Sequence, residues 1–381
     1  YIRSTQFDYI GFDDTLMIAD HYDYLKDPAN IPGAFLHDAC KFDNEPGSVC
    51  IIYRPLCTVS VMIDAYFGDR TPRFYHYSNI FYHLLACISL FYFLVQFGMK
   101  DITAKALTLL FAIHPVMTMA VAWIPGRTDV LFGLFAILTI THFMKYIAAK
   151  STKSFLLHLL FFTLALFSKE SGVILIPICF LYLLLIRKEI KISPKKITAL
   201  NLLSLAAGYG VILFIWYQLR AIALNDVPPA NTTFSELVNN AVNNTPLFLQ
   251  YIGKIILPFN LSGIAPIEGT NYLFSIIALV LIAAALYLSK EKRWEYILFG
   301  FFWFVSILAL TLLTPAPELG GLEQRMYFPL IGILIVFAET DLVKKMNFKN
   351  NNSYWMVLLF AVLLVTAIYT VSNFKDRFFF W

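Results

Sequence analysis

Six short polar clusters interrupt an otherwise apolar sequence, and their residue types suit group transfer at a phosphate. Asp13 and Asp14 stand side by side after Gly11-Phe12, and Arg54 precedes Pro55 later in the same polar stretch. His114 precedes Pro115, and Arg127 and Asp129 belong to Gly126-Arg127-Thr128-Asp129. Lys169 and Glu170 adjoin between two serines, and Glu323 and Arg325 flank Gln324. A carboxylate beside a membrane can accept a proton from an attacking hydroxyl. Arg grips phosphate oxygens as a planar fork and Lys acts as a point charge. Arg54, Arg127, Lys169 and Arg325 therefore suit a phosphate leaving group at the headgroup level.

Each cluster also has a purely structural reading. Lys169 and Glu170 could pair to hold a tight turn, and Asp129 could favour the first turn of a helix that Arg127 opens. His114 could be a satisfied buried histidine, Arg325 an anchor against headgroups, and Asp13-Asp14 a helix N-cap. Depth is what argues for chemistry. The spans described next place all six clusters at one membrane edge, and a charge near a bilayer usually faces a cavity or a partner.

The elements that position them follow from composition. Of 381 residues, 59% are hydrophobic and 14% charged, against about 25% charged in soluble domains. That excludes a soluble globule, a disordered chain and a disulfide scaffold. A net charge of +4 is too small to suggest nucleic acid as a partner. The pattern predicts an all-α polytopic membrane protein. Ten candidate spans run near 78–98, 104–122, 130–147, 154–168, 171–187, 198–217, 273–288, 295–313, 326–343 and 354–372. A span needs roughly 20 apolar residues, with about 17 the lower limit, so 154–168 and 273–288 are short. The chain opens on Tyr1 with no initiator Met and no signal peptide, so a further span before it is expected.

With residues 1–74 placed outside, five short inner loops collect Lys and Arg. One holds Lys145, Lys150 and Lys153, and the next Arg187, Lys188, Lys191, Lys195 and Lys196. Short cytoplasmic loops are expected to be basic. The chain thus divides into a first outer loop, 1–74, a helical bundle, 75–372, with an outer loop at 218–272, and an outer-face extension beginning at 373–381. Within the second loop, Leu249, Ile252, Ile255 and Ile256 are spaced for a helix lying in the interface. Oxidation is permitted in an outer loop, so a Cys40–Cys50 bridge is a candidate there, whereas Cys87 and Cys179 read as packing residues. Asn231, Asn243 and Asn260 begin Asn-x-Ser/Thr sequences on the outer side.

No Walker A, G-x-G-x-x-G or H-E-x-x-H sequence occurs, and no Cys/His spacing resembles a zinc site. No cofactor is predicted. A divalent ion is left open, since Asp13, Asp14 and Asp129 could hold one if brought together.

As a set, the clusters resemble the membrane region of the transmembrane and tetratricopeptide-repeat O-mannosyltransferases and their bacterial relatives, in the type C glycosyltransferase superfamily. The matching pieces occur in family order: Phe12-Asp13-Asp14, Tyr53-Arg54-Pro55-Leu56, Asn79 to His83, and Leu110 to Pro115. Gly126 to Asp129, Ser168-Lys169-Glu170, Tyr251 to Lys254 with Pro258, and Glu323 to Pro329 follow. The resemblance implies a polyprenyl-phosphate-linked sugar as donor, dolichyl or undecaprenyl, and an inverting transfer of mannose to a protein Ser or Thr. It implies Asp13 as base with Asp14 in support, and Arg54, Arg127, Lys169 and Arg325 on the donor phosphate. His114, Asp129, Glu170 and Glu323 would line the site. The setting implied is the endoplasmic reticulum or a bacterial plasma membrane, with the site on the lumenal or periplasmic face. Helical repeats would follow Trp381 on the outer side, or another subunit would bind the acceptor there.

Two other classes fit the composition. A transporter or lipid scramblase would need charged or broken helices at the midplane and internal repeats, and no repeat is visible. A non-catalytic membrane subunit of the same fold would not need the acidic pair and the basic set.

Overall fold

The computed structural model describes residues 1–10, 13–40, 51–186, 197–225, 233–259, 261, 271–313, 321–346 and 354–373. Among these the regular elements are helices. They are α1 (Tyr22–Leu25), α2 (Pro55–Phe67), α3 (Arg73–Gln96), α4 (Asp101–Ile113), α5 (Thr118–Ala122), α6 (Arg127–Ala149), α7 (Thr152–Ser168) and α8 (Leu175–Leu181). After them come α9 (Ala199–Ala223), α10 (Phe234–Asn244), α11 (Pro246–Ile256), α12 (Leu273–Leu288) and α13 (Trp294–Leu312). The last are α14 (Pro329–Ala338), α15 (Asp341–Lys344) and α16 (Tyr354–Asn373).

Five helical stretches are long and apolar enough to cross a membrane: Arg73–Gln96, Ile124–Ala149, Ala199–Ala223, Trp294–Leu312 and Tyr354–Ser372. Counting α4 with Pro115–Ala122 as one span bent by 51° makes six. This is an all-helical architecture with membrane-crossing helices, but the expected count of about ten is not reached among the described residues. The other apolar runs are helical yet short: Thr152–Ser168, Glu170–Ile186, Leu273–Leu288 and Pro329–Ala338. Polar residues and prolines cut them. Lys169 is the C-cap of α7, and Pro329 starts α14, whose C-cap is Glu339.

The bend at His114-Pro115 has a local cause. Proline lacks an N–H and clashes with the preceding turn, so His114 is extended (φ −64°, ψ 125°) and α4 stops. Carbonyls freed beyond the bend are met by Asn79 of α3, whose side-chain amide donates to Trp123 O at 3.1 Å and Ile124 O at 3.2 Å.

α6 packs along α7 and α3, and α13 packs along α14. The second contact depends on two glycines, as close helix crossings in membranes often do. A Cβ on Gly300 would stand 2.5 Å from Gly332 O. At the end where α13 begins, buried Glu339 accepts from Arg293 Nε at 3.0 Å and pairs with Lys344 at 2.5 Å. This ties the start of α13 to the end of α14.

Cys40 is disulfide-bonded, while Cys57, Cys87 and Cys179 are free and buried. Its expected partner Cys50 lies outside the described residues, as do Gly11, Phe12, Asn231, Asn260 and the basic run 187–196. Asn243 is exposed at the end of α10. The helix expected to lie in the interface is α11. One face of it, with Leu247, Tyr251, Gly253 and Ile255, is buried in the bundle, while Leu249 is exposed and Ile252 and Ile256 are half-buried.

Candidate functional site

Helix ends, rather than helix middles, carry the charged groups of the site. Arg54 is the N-cap of α2 and is followed by Pro55 at the first helical position, where proline's missing N–H costs nothing. Asp129 sits in the first turn of α6, where the helix dipole favours an anion. Lys169 ends α7 in an extended conformation, and Glu170 opens the turn Glu170–Ile174. That turn folds back so tightly that a Cβ on Gly172 would lie 2.8 Å from the Leu166 backbone. Arg325 is in the short helical turn Glu323–Met326 ahead of α14.

These ends surround a pocket of about 640 Å³. Asp13, Arg54, Asp129, Lys169, Glu170 and Arg325 line it, together with Gln324. Its other walls are apolar, from Met17, Trp123, Phe132, Val173, Ile307 and Phe328 among others. Such a cavity, mostly apolar with a few convergent polar groups, is the usual form of a small-molecule site.

The cations differ in what they already hold. Arg54 grips Glu170 with two bonds, Nε to Oε2 at 3.0 Å and a terminal nitrogen to Oε1 at 2.6 Å. Lys169 Nζ donates to Asp129 Oδ1 at 2.6 Å. Arg325 makes no ion pair among the described residues, and its Nη1 is buried without a hydrogen-bond partner. The Gln324 side-chain oxygen is likewise buried and unpartnered. An unmet cation and an unmet acceptor in one pocket are what a ligand bearing both an anion and hydroxyls would satisfy.

The two acidic neighbours separate. Asp13 lines the pocket and has no hydrogen-bond partner among the described residues. Burial pushes its carboxyl up, and Arg54 pulls it part of the way back. Asp14 is turned inward and 1% exposed, with Oδ2 accepting from Ile10 N–H at 2.9 Å and Oδ1 unpartnered. Burial dominates there and raises the carboxyl to about 7, against the Ile10 bond that lowers it.

This makes Asp14 a pH-dependent element of stability. Its folded value lies above the ordinary carboxylate value of about 3.9. The folded state therefore holds the proton more tightly, and stability falls as pH rises from about 4 to 7. Asp14→Asn keeps an oxygen for Ile10 N–H and removes the titration. Its melting temperature is expected to change less between pH 5 and pH 8 than that of the parent chain. Equal slopes in the two proteins would show that Asp14 is not buried as an acid.

Besides Asp14, three of the expected site residues lie away from the pocket. Arg127 is fully buried and pairs with Asp64 at 2.5 Å, while donating to Tyr75 O at 3.1 Å and Ser78 Oγ at 3.2 Å. His114 has both ring nitrogens engaged: Nε2–H donates to Ile255 O at 2.8 Å, and Nδ1 accepts from Val116 N–H at 3.3 Å. Glu323 is buried against Lys254 at 2.5 Å. Asp64 had no part in the sequence reading, and Lys254 and Gln324 entered it only inside matching motifs, without a role of their own. A lone acid inside the apolar segment Ser60–Phe67 was the available signal for Asp64. Among the described residues no group of three or more His, Cys, Asp or Glu side chains could hold a metal ion.

Residues 76–220 match the model of the dolichyl-phosphate-mannose-protein mannosyltransferase family. A protein named protein O-mannosyl-transferase TMTC1 from Mus musculus is 33% identical over 141 residues, 34% of this chain and 15% of its own length. One named tmtc2 from Xenopus laevis is 30% identical over 225 residues, 54% of this chain and 26% of its own. Another, F38B6.6 from Caenorhabditis elegans, is 23% identical over 337 residues, 84% of this chain and 46% of its own. The chain therefore spans less than half the length of these relatives. No solved structure matches it. Both the family model and the relatives support an O-mannosyltransferase-like family for this chain.

Proposed function

We propose that the chain acts as a membrane glycosyltransferase, moving mannose from a polyprenyl-phosphate donor to an acceptor hydroxyl, a protein Ser or Thr. The reaction takes place on the lumenal or periplasmic face, a side assigned from the basic inner loops. The observation that carries the reading is one apolar-walled pocket holding a carboxylate, Asp13, and a cation, Arg325, that have no partner among the described residues.

In the proposed step, the acceptor oxygen attacks the anomeric carbon from the side opposite the phosphate. Asp13 takes the hydroxyl proton as the C–O bond to phosphate breaks. The bonding electrons leave with the polyprenyl phosphate, and the sugar is inverted. Arg325 holds the phosphate directly, while Lys169 and Arg54 add positive potential from within their own ion pairs.

The test is transfer from a labelled polyprenyl-phosphate mannose to Ser/Thr peptides by the protein in nanodiscs. Arg325→Gln is expected to weaken donor affinity by roughly tenfold to a hundredfold, the worth of a hydrogen bond to a charged group. Absence of transfer from polyprenyl-phosphate sugars by the parent protein would overturn the reading.

A further inference from the structure

Helix α10 divides its surface into three stripes. Asn240 and Asn244 face the bundle, donating from their side-chain amides to Leu313 O at 3.4 Å and Leu312 O at 3.0 Å. Phe234, Val238 and Val242 recur at every fourth position and are exposed, Phe234 by 81% and Val242 by 65%. Glu236, Asn239 and Asn243 form a third, polar and exposed stripe. A helix between protein and water needs only two faces, so an exposed apolar stripe beside a polar one points to a third medium.

Position identifies that medium. Leu312 and Leu313 are the end of α13, a helix of 19 residues that qualifies as a membrane span. At about 1.5 Å per residue it is nearly as long as the hydrocarbon core is thick, roughly 30 Å. Its end, and therefore α10, stands at a membrane surface. We infer that α10 is an interfacial helix, its Phe234–Val238–Val242 stripe seated in the lipid of one leaflet and its Glu236–Asn239–Asn243 stripe in water. No Lys or Arg occurs between residues 233 and 253, so the contact is apolar and calls for zwitterionic lipid rather than anionic headgroups. Leu310 and Thr311, which line the pocket, lie within one turn of the carbonyls that α10 holds. The helix thus fixes the pocket near the headgroup level, at the depth of a lipid phosphate.

The test needs no turnover, so it stands or falls apart from the catalytic reading. Val238→Cys, Val242→Cys and Asn239→Cys are each labelled with an environment-sensitive fluorophore in the full chain, in phosphatidylcholine vesicles. The free native cysteines are buried, and the unsubstituted protein reports their background. Labels at 238 and 242 are expected to be quenched by nitroxide-bearing lipids, and the label at 239 by aqueous iodide. Replacing a third of the lipid with phosphatidylserine should leave this pattern unchanged. Iodide reaching 238 and 242 as readily as 239 would overturn the inference. So would protection of 238 and 242 from both quenchers, which would mean that protein covers the stripe.

Discussion

Asp13→Asn is expected to lower the rate of sugar transfer by about 10²–10⁴-fold, the usual contribution of a positioned general base. The amide keeps the size of the carboxylate and loses its capacity to accept a proton. Because Asp13 makes no hydrogen bond to another described group, the substitution should leave melting temperature and donor affinity close to those of the parent. Asp14→Asn separates the two carboxylates: Asp14 is bonded to Ile10 N–H and does not line the pocket, so its variant should keep most of the activity. Full turnover in Asp13→Asn would remove Asp13 as the base, and loss confined to Asp14→Asn would exchange the two roles. The pH profile gives a second reading. Burial raises the Asp13 carboxyl and Arg54 lowers it, so activity should fall on the acid side at a pH above the ordinary carboxylate range. Arg54→Gln should move that limb further up, since the cation favouring the ionised base is gone.

The helical class was legible because apolar runs such as 78–98 and 198–217 admit no other reading, and α3 and α9 fall on them. Span number was less so. Hydropathy counts an apolar run and not where a helix must end; 326–343 reads as one span, but Pro329 and Glu339 confine α14 to Pro329–Ala338. Clustering at the site was legible for Asp13, Arg54, Asp129, Lys169, Glu170 and Arg325, since charges are expensive at a membrane and these mark the turns. Which charges face each other was not. Arg54 and Glu170 are 116 positions apart, and no periodicity links them. Asp13 and Asp14 look equivalent in sequence, and nothing in it shows that Ile10 N–H bonds Asp14 and leaves Asp13 to line the pocket. The apolar face of α11 was legible in its spacing, but the pairing of Lys254 with Glu323, 69 positions away, was not.

Arg127 gives the second large effect, and it is one of folding. Its guanidinium is fully buried and donates to Asp64, Ser78 and the Tyr75 carbonyl, while Ser78 Oγ also donates to Asp64 Oδ2 at 2.6 Å. This network joins α2, α3 and the start of α6, and of these α2 and α6 carry Arg54 and Asp129 to the pocket. Removing one partner of a buried pair strands the other charge, at a typical cost of about 3–5 kcal/mol. Arg127→Met and Asp64→Leu should each sharply reduce the yield of monodisperse protein in mild detergent, with a lower melting temperature in what remains. Combining the two removes both charges at once. The double variant should therefore melt above the value obtained by adding the single losses, the deficit left being the hydrogen bonds that Arg127 gave the Tyr75 carbonyl and Ser78 Oγ. A phosphate-binding Arg127 would behave differently: Arg127→Met would fold like the parent and lose donor affinity, and Asp64→Leu would not rescue it. Measuring stability and donor binding on the same three proteins distinguishes an arginine that builds the pocket from one that works inside it.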